Sequence, residues 1–358
     1  MCAKPSFAAE LPPPVATPRE QLDDELVRDF PLRSLGTLHI TNLRGGVQVQ
    51  GWALDKIRVR AKRKVIAATE VEAKVLYDSV DFRYRKVGNE IELSAEYGRG
   101  LDIGAKLKER ANPKTSMDIL VQAPAGLALR VWSVDGAASV RNWRAKVEVR
   151  TQSGNAELDD VRSAHASVFC PACTMRLRDV SADVRVMGGT GKATLENVKG
   201  SQIFVETSSG EQSLQGVSGN LVLLSKTGSI QGKAVSGRLE FQTGAGSVEF
   251  VDTEGFASGR TDTGNISLEM RRWTFEDRAL FESQRGSVTL SMPLGFAAEV
   301  DLRSVFGKAF SAFAMESMSA INFQGPQPAN HLVGRVANGS DQLKMISQHG
   351  DVRLTHKM

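Results

Sequence analysis

The sequence contains no apolar run approaching the roughly 20 residues that a membrane-crossing helix requires, so no transmembrane segment is expected. Three cysteines in 358 residues are too few for a disulfide scaffold, and so small a number leaves the redox compartment open. The five histidines, His39, His165, His331, His349 and His356, share no motif and stand at no useful spacing from Asp or Ser. Histidine-based triads and the usual histidine metal sets are therefore not expected. Charge is almost balanced, with 45 Lys+Arg against 41 Asp+Glu, and the pI is near 8.9. A dedicated duplex-binding protein carries a denser basic stripe, so no sequence-specific nucleic acid partner is expected. Aromatic residues make up only 6%, which leaves little for base-stacking platforms. Gly188-Gly189-Thr190-Gly191-Lys192 has neither the spacing nor the following helix of a phosphate loop.

What the chain does have is glycine at a fixed phase. From Leu127 onward one unit recurs: an alternating strand, a turn carrying Gly, a second alternating strand and a corner. The turn glycines are Gly136, Gly154, Gly191, Gly210, Gly228, Gly246, Gly264 and Gly286, spaced by 18, 37, 19, 18, 18, 18 and 22, with Gly350 closing the last unit. The 37 is a double step in which Cys170-Pro171-Ala172-Cys173 occupies the missing turn. Gly suits such a turn because it reaches positive φ without a Cβ clash. Alternation such as Val147-Glu148-Val149-Arg150 turns one face inward. Eighteen residues cannot hold a strand, a crossover helix and a return strand, which excludes βαβ units.

The pattern predicts an all-β chain: a β-solenoid (β-helix) of roughly 18-residue coils, with two short strands per coil and capped ends. Four regions are expected: a flexible Pro-rich tail over 1–30, N-terminal coils with insertions over 31–122, regular repeats over 123–292, and a C-terminal excursion with a closing coil over 293–358. Within the second region, residues 66–80 read as a short helix or as ragged strands. Phe306, Phe310 and Phe313 stand at helical spacings, as a capping helix or an irregular excursion would place them.

The opening Gly36-Thr37-Leu38-His39-Ile40, the segment Gly46–Trp52, the mid-chain Val121–Gly126, the repeated Thr/Ser-Gly-x-Val/Ile turns, Met292-Pro293-Leu294-Gly295 and the closing Gly350–Leu354 occur in an order that resembles the bacterial "putative adhesin" family. The resemblance spans roughly residues 30–355. It implies a β-solenoid domain and surface adhesion, with no catalytic residues to carry over.

The function expected is a non-enzymatic scaffold or binding module that presents a rigid surface to another protein or a cell-surface component, with no cofactor. The alternatives are a carbohydrate-active enzyme, in which acids line successive coils and Trp132, Trp143 or Trp273 stacks on sugar, and a structural subunit of an intracellular or organellar assembly. Lys56, Arg58, Arg60 and Lys62 form the densest basic strand and, with Phe306, Phe310 and Phe313, a candidate partner surface. Cys170 and Cys173 read as a local disulfide or thiol pair ahead of half a zinc site. Cys2 reads as incidental, or as the lipid acceptor of an exported protein whose leader was replaced by Met1. The expected location is accordingly intracellular or organellar if the N-terminus is native, and the bacterial envelope if a leader was removed. Glu211, Asp262 and Glu269 share no phase that would stack them, and Asp159-Asp160 reads as a solvated corner.

Overall fold

A computed structural model describes residues 19–32, 34–106, 114–274, 278–316 and 330–357. Cys2 and the consecutive Pro12, Pro13 and Pro14 lie outside these residues. Among the described residues, apart from the helix Glu70–Asp78 and a helical stretch at 103–106, the regular elements are strands, and the 27 strands join one continuous sheet. The sheet wraps one large hydrophobic core running from Leu38 to Leu354, and a small second cluster of Val65, Ala67, Ala73 and Leu76 lies under the helix Glu70–Asp78.

Mid-chain, neighbouring strands are parallel and their partners are one repeat apart in sequence. Ser218 pairs with Ser236, and Ser236 with Glu254. The alternating pattern sends every second side chain inward, so like residues stack: Val149, Val168, Val186, Val205, Leu223 and Phe241 form one interior column. Bulk is balanced across the interior. The ring of Phe241 lies over Gly259, and that of Phe250 over Gly232, where an added Cβ would come within 2.5 and 2.3 Å of the respective rings.

The open, capped solenoid of short-stranded coils is not what forms. First, the strands are not uniformly two short pieces per coil: Gln212–Gln215 with Ser218–Ser225 has that form, but others do not. Ala156–Cys170, Met175–Gly188 and Val248–Thr263 run 15, 14 and 16 residues straight through a corner. They bend at Asp160, Asp179 and Asp252, whose φ values are 48°, 53° and 58°. Asp and Asn tolerate this left-handed region better than most residues, and Asn142 and Asn197 serve the neighbouring corners at 55° and 54°. Second, the chain is not wound in series. Thr37–Arg44 and Val47–Trp52 sit between the strands of residues 90–124 and those of residues 128–143. Likewise Gln342–Ser347 and Val352–His356 insert between residues 279–292 and residues 298–311. Third, additional antiparallel strands decorate the two ends in place of simple caps. Arg19–Pro31 lies on Lys56–Ala67, which lies on Thr115–Pro124; Asp81–Val87 pairs with Glu90–Glu96, and His331–Val336 with Ala298–Ser304. An unpaired parallel edge is a template for association, and these added strands lie along such edges.

The helix Glu70–Asp78 falls within the 66–80 segment. Thr69 Oγ1 accepts from the Glu72 amide at 3.2 Å, and Glu72 returns a carboxylate to the Ala68 amide at 3.0 Å. The first satisfies a first-turn donor that a helix cannot satisfy itself, and the second ties the residue before the cap back to the helix.

Candidate binding face

The turn glycines form one column. A Cβ built on Gly210 would lie 1.9 Å from the carbonyl oxygen of Gly191, one on Gly228 2.1 Å from that of Gly210, and one on Gly246 2.5 Å from that of Gly228. Gly136 and Gly154 begin the series above Gly45, and Gly264, Gly286 and Gly350 continue it. Positive φ is confined, among the nine predicted turn positions, to Gly136, Gly154, Gly246 and Gly264. Close approach between stacked backbones, more than φ, is what demands glycine here.

Three residues before most of these glycines a buried hydroxyl caps the turn. Thr207 Oγ1 donates to the Gly210 carbonyl at 2.8 Å, and Ser225 Oγ accepts from the Gly228 amide at 2.8 Å. Ser283, Ser347 and Ser304 donate to the carbonyls of Gly264, Gly286 and Gly350 at 2.8–2.9 Å. At the anomalous turn Cys170 takes the hydroxyl position and Cys173 the glycine position, since Gly191 stacks on the Cys173 carbonyl. The two cysteines are joined in a disulfide, both buried, with Cα atoms 5.7 Å apart.

The two outer faces of the stacked strands differ. On one, charges alternate from strand to strand: Arg141 with Glu157 at 3.3 Å, Asp159 with Arg178 at 2.7 Å, and Arg176 with Glu196 at 2.9 Å. Hydrogen bonds from Arg178 hold the Asp159 carboxyl below the usual range. Such pairs are solvated and add little stability.

The opposite face carries large apolar groups. Trp132 and Phe169 are 55% and 45% exposed, and Met187, Phe204, Val222 and Leu224 continue the band half-buried. Register places Trp132, Arg150, Phe169 and Met187 on four successive strands of one column. The parallel column beside it holds Arg130, Glu148, Ser167 and Arg185. An open groove of about 770 Å³ crosses these strands, lined by His39, Thr41, Trp132, Gln152, Phe169 and Pro171 together with Arg130, Glu148 and Arg150. Glu148 is the only carboxylate in that lining and is shared by two guanidiniums, Arg150 at 2.7 Å and Arg130 at 3.6 Å. Arg185 lies 5.2 Å over the Phe204 ring.

Of the residues singled out from sequence, Trp132 is on this face, and the expected partner surface lies elsewhere. Lys56 and Arg58 both bond Asp29, at 2.8 and 2.7 Å, and Arg60 faces Glu25 at 4.0 Å. These two cations hold the Asp29 carboxyl far below the ordinary range. The basic strand thus has acidic partners within the chain, on a strand occupying part of the expected tail. Phe306, Phe310 and Phe313 are not on a helix: Phe306 stacks on His349, Phe310 belongs to the short strand Ala309–Ser311, and Phe313 is buried against Phe296 and His356. Glu211 pairs with Lys192 and Glu269 with Lys357, far apart in sequence and in separate pairs. His39 bonds Glu90, and His331 bonds Asp301 at 3.0 Å. Trp143 is fully buried, donating to the Leu127 carbonyl at 2.9 Å. Among the described residues, no cluster of three His, Cys, Asp or Glu is placed to hold a metal ion.

The family model described as Toastrack DUF4097 matches residues 33–355. The chain belongs to that family. It is the adhesin-like family that the ordered motifs resemble. No curated protein matches the sequence. Solved structures with some likeness include a "putative cell adhesion protein" from Clostridium sporogenes, at 8% identity and a TM-score of 0.22, covering 95% of this chain and 100% of that one. A "putative adhesin" from Bacteroides fragilis has 13% identity and a TM-score of 0.33, covering 68% and 97%. A "putative lipid binding protein" from Parabacteroides distasonis has 10% identity and a TM-score of 0.30, covering 92% and 96%. Likeness this loose carries no functional argument for the Toastrack chain.

Proposed function

We propose that this Toastrack protein is a non-enzymatic, adhesin-like binding module that engages a cell-surface component through the outer face bearing Trp132 and Phe169. The observation that carries the proposal is the asymmetry of the two outer faces. One spends its outward positions on mutually neutralising charges. The other holds two large aromatic side chains about half exposed, with half-buried apolar neighbours on successive strands. A contiguous exposed apolar patch with polar neighbours marks an interaction surface, and exposed aromatics with arginine are the residue types that dominate binding energy. Action at the cell envelope is part of this proposal. Against the enzymatic alternative, hydrolysis of a glycosidic bond typically uses a pair of carboxylates, and the groove lining supplies Glu148 alone.

The test is capture of purified cell-envelope fragments by the immobilised protein. The double variant Trp132→Ala/Phe169→Ala is expected to lose capture, whereas Arg141→Ala/Arg176→Ala on the charged face keeps it. Capture by the aromatic-face variant equal to that of the unchanged protein would refute the assignment of this face.

A further inference from the structure

We propose that the groove binds a linear anionic glycan laid along the stacking axis, with sugar faces on Trp132 and Phe169 and acid groups on Arg130 and Arg150. This rests on the binding-face reading above and names the ligand class for it. Three features of the groove support it together.

The first is spacing. Trp132 and Phe169 share a column and are separated by one intervening strand. Adjacent strands lie about 4.8 Å apart, so the two rings stand about 10 Å apart along the axis, a span that a disaccharide unit bridges. A polymer whose repeat matches the strand spacing can meet equivalent positions on successive strands, which a globular partner has no need to do.

The second is charge. Arg130 and Arg150 converge on one carboxylate, Glu148, so one positive charge in this trio is left over. Arg185 adds another on the same face, over the Phe204 ring. A guanidinium presents a planar fork that matches a carboxylate. The surplus positive charge therefore favours an acidic sugar over a neutral one.

The third is shape. The groove is open, with a volume of about 770 Å³, and is continued by a smaller one of about 380 Å³ lined by Glu148, Arg150, Ser167, Phe169, Arg185 and Met187. Together they run across the strands from His39 to Met187. A concave groove that crosses several strands, with Trp132 and Phe169 in its lining, suits a thin flexible polymer more than it suits a flat bilayer.

The experiment is equilibrium binding by calorimetry and tryptophan fluorescence, using oligomers of three linear acidic glycans: galacturonate, alginate and hyaluronan. A cello-oligomer of similar length is the neutral control, poly-glutamate the acidic-peptide control, and phosphatidylglycerol vesicles the membrane control. At least one acidic glycan is expected to bind, about tenfold or more tighter than the neutral oligomer. Trp132→Ala and Arg150→Gln are each expected to weaken it about tenfold, while Arg176→Gln on the opposite face leaves it unchanged. Both altered side chains are exposed, and unchanged melting curves confirm that the variants fold. The proposal is overturned if none of the three glycans binds, if binding survives both substitutions, or if poly-glutamate or the vesicles bind as tightly as the best glycan. Loss of envelope capture on Trp132→Ala/Phe169→Ala without glycan binding overturns the ligand class and leaves the face standing. Unchanged envelope capture overturns the face itself.

Discussion

Replacing Gly210 with alanine places a methyl group 1.9 Å from the carbonyl oxygen of Gly191, where neither partner is a movable side chain. Gly210 does not have a left-handed φ, so the penalty isolates close stacking from backbone conformation. Relief requires separating two hydrogen-bonded strands or shifting the turn. Overpacking of this kind costs about 1–3 kcal/mol, and the rigid backbone on both sides argues for the upper end, about 3 kcal/mol. An unfolding entropy of about 2.1 cal/mol/K per residue over 358 residues gives about 0.75 kcal/mol/K, so the melting temperature should fall by about 4 °C if the molecule melts as one unit. Two controls bracket the result. Gly88 has φ +59° but no atom within 4 Å of its added Cβ, so Gly88→Ala carries only the left-handed penalty of about 1–2 kcal/mol. Gly295 has open space and no left-handed φ, so Gly295→Ala should be neutral or stabilising by up to about 1 kcal/mol. Calorimetry or circular dichroism on the three variants gives the order. If Gly210→Ala melts no lower than Gly295→Ala, close stacking is not what requires glycine in the column.

Three further outcomes are expected. The Asp29 carboxyl is depressed first by its bond from Arg58 and then by that from Lys56, so the docking of Arg19–Pro31 should be at full strength above about pH 4 and weaken progressively as pH falls below it. Hydrogen exchange at Val27–Phe30, normalised to the core, reads this, and a profile that is flat with pH or identical in Asp29→Asn contradicts it. Gly232→Ala and Phe250→Leu should each destabilise, but together by less than their sum by about 1 kcal/mol, because the smaller side chain makes room for the new methyl; strict additivity of denaturant midpoints contradicts the packing argument. Reducing Cys170–Cys173 opens only a four-residue loop, worth roughly 2 kcal/mol in the chain-entropy picture. Cys170→Ser/Cys173→Gly recreates the arrangement seen at Ser225 and Gly228, so it should recover about 1 kcal/mol relative to Cys173→Ser, and equal midpoints for the two contradict the shared-position argument.

The glycine phase made the repeat legible, because an 18-residue spacing repeated in sequence becomes partner spacing in the sheet. It did not reveal winding order. Residues 37–52 and 342–356 carry the same local signature as their neighbours, and nothing local says that they insert between later or earlier strands. Short strands separated by Asp or Asn read as two pieces, whereas one left-handed residue such as Asp160 lets a single strand turn the corner. Phe306, Phe310 and Phe313 matched a helical spacing, yet a strand bridge at Ala309–Ser311 and burial of Phe313 against Phe296 decide their conformation. The basic strand drew attention because its neutralising partners, Glu25 and Asp29, lie about 30 residues away in a segment that reads as tail. Of the binding face only Trp132 was singled out, as one of three candidate sugar platforms; the rest was missed because its residues are 18 or 19 apart. Trp132, Arg150 and Phe169 follow the glycine period, and reading the outward position of every repeat as one column would have found them.

Hydroxyl-radical footprinting of the protein alone and bound to cell-envelope fragments tests the binding face most directly. The account predicts that Trp132, Phe169 and Met187 become protected on binding, while oxidation of the exposed Phe306 and Phe310 stays unchanged. Protection at Phe306 and Phe310 with Trp132 and Phe169 still reactive would contradict it and move the interface to the C-terminal end of the sheet.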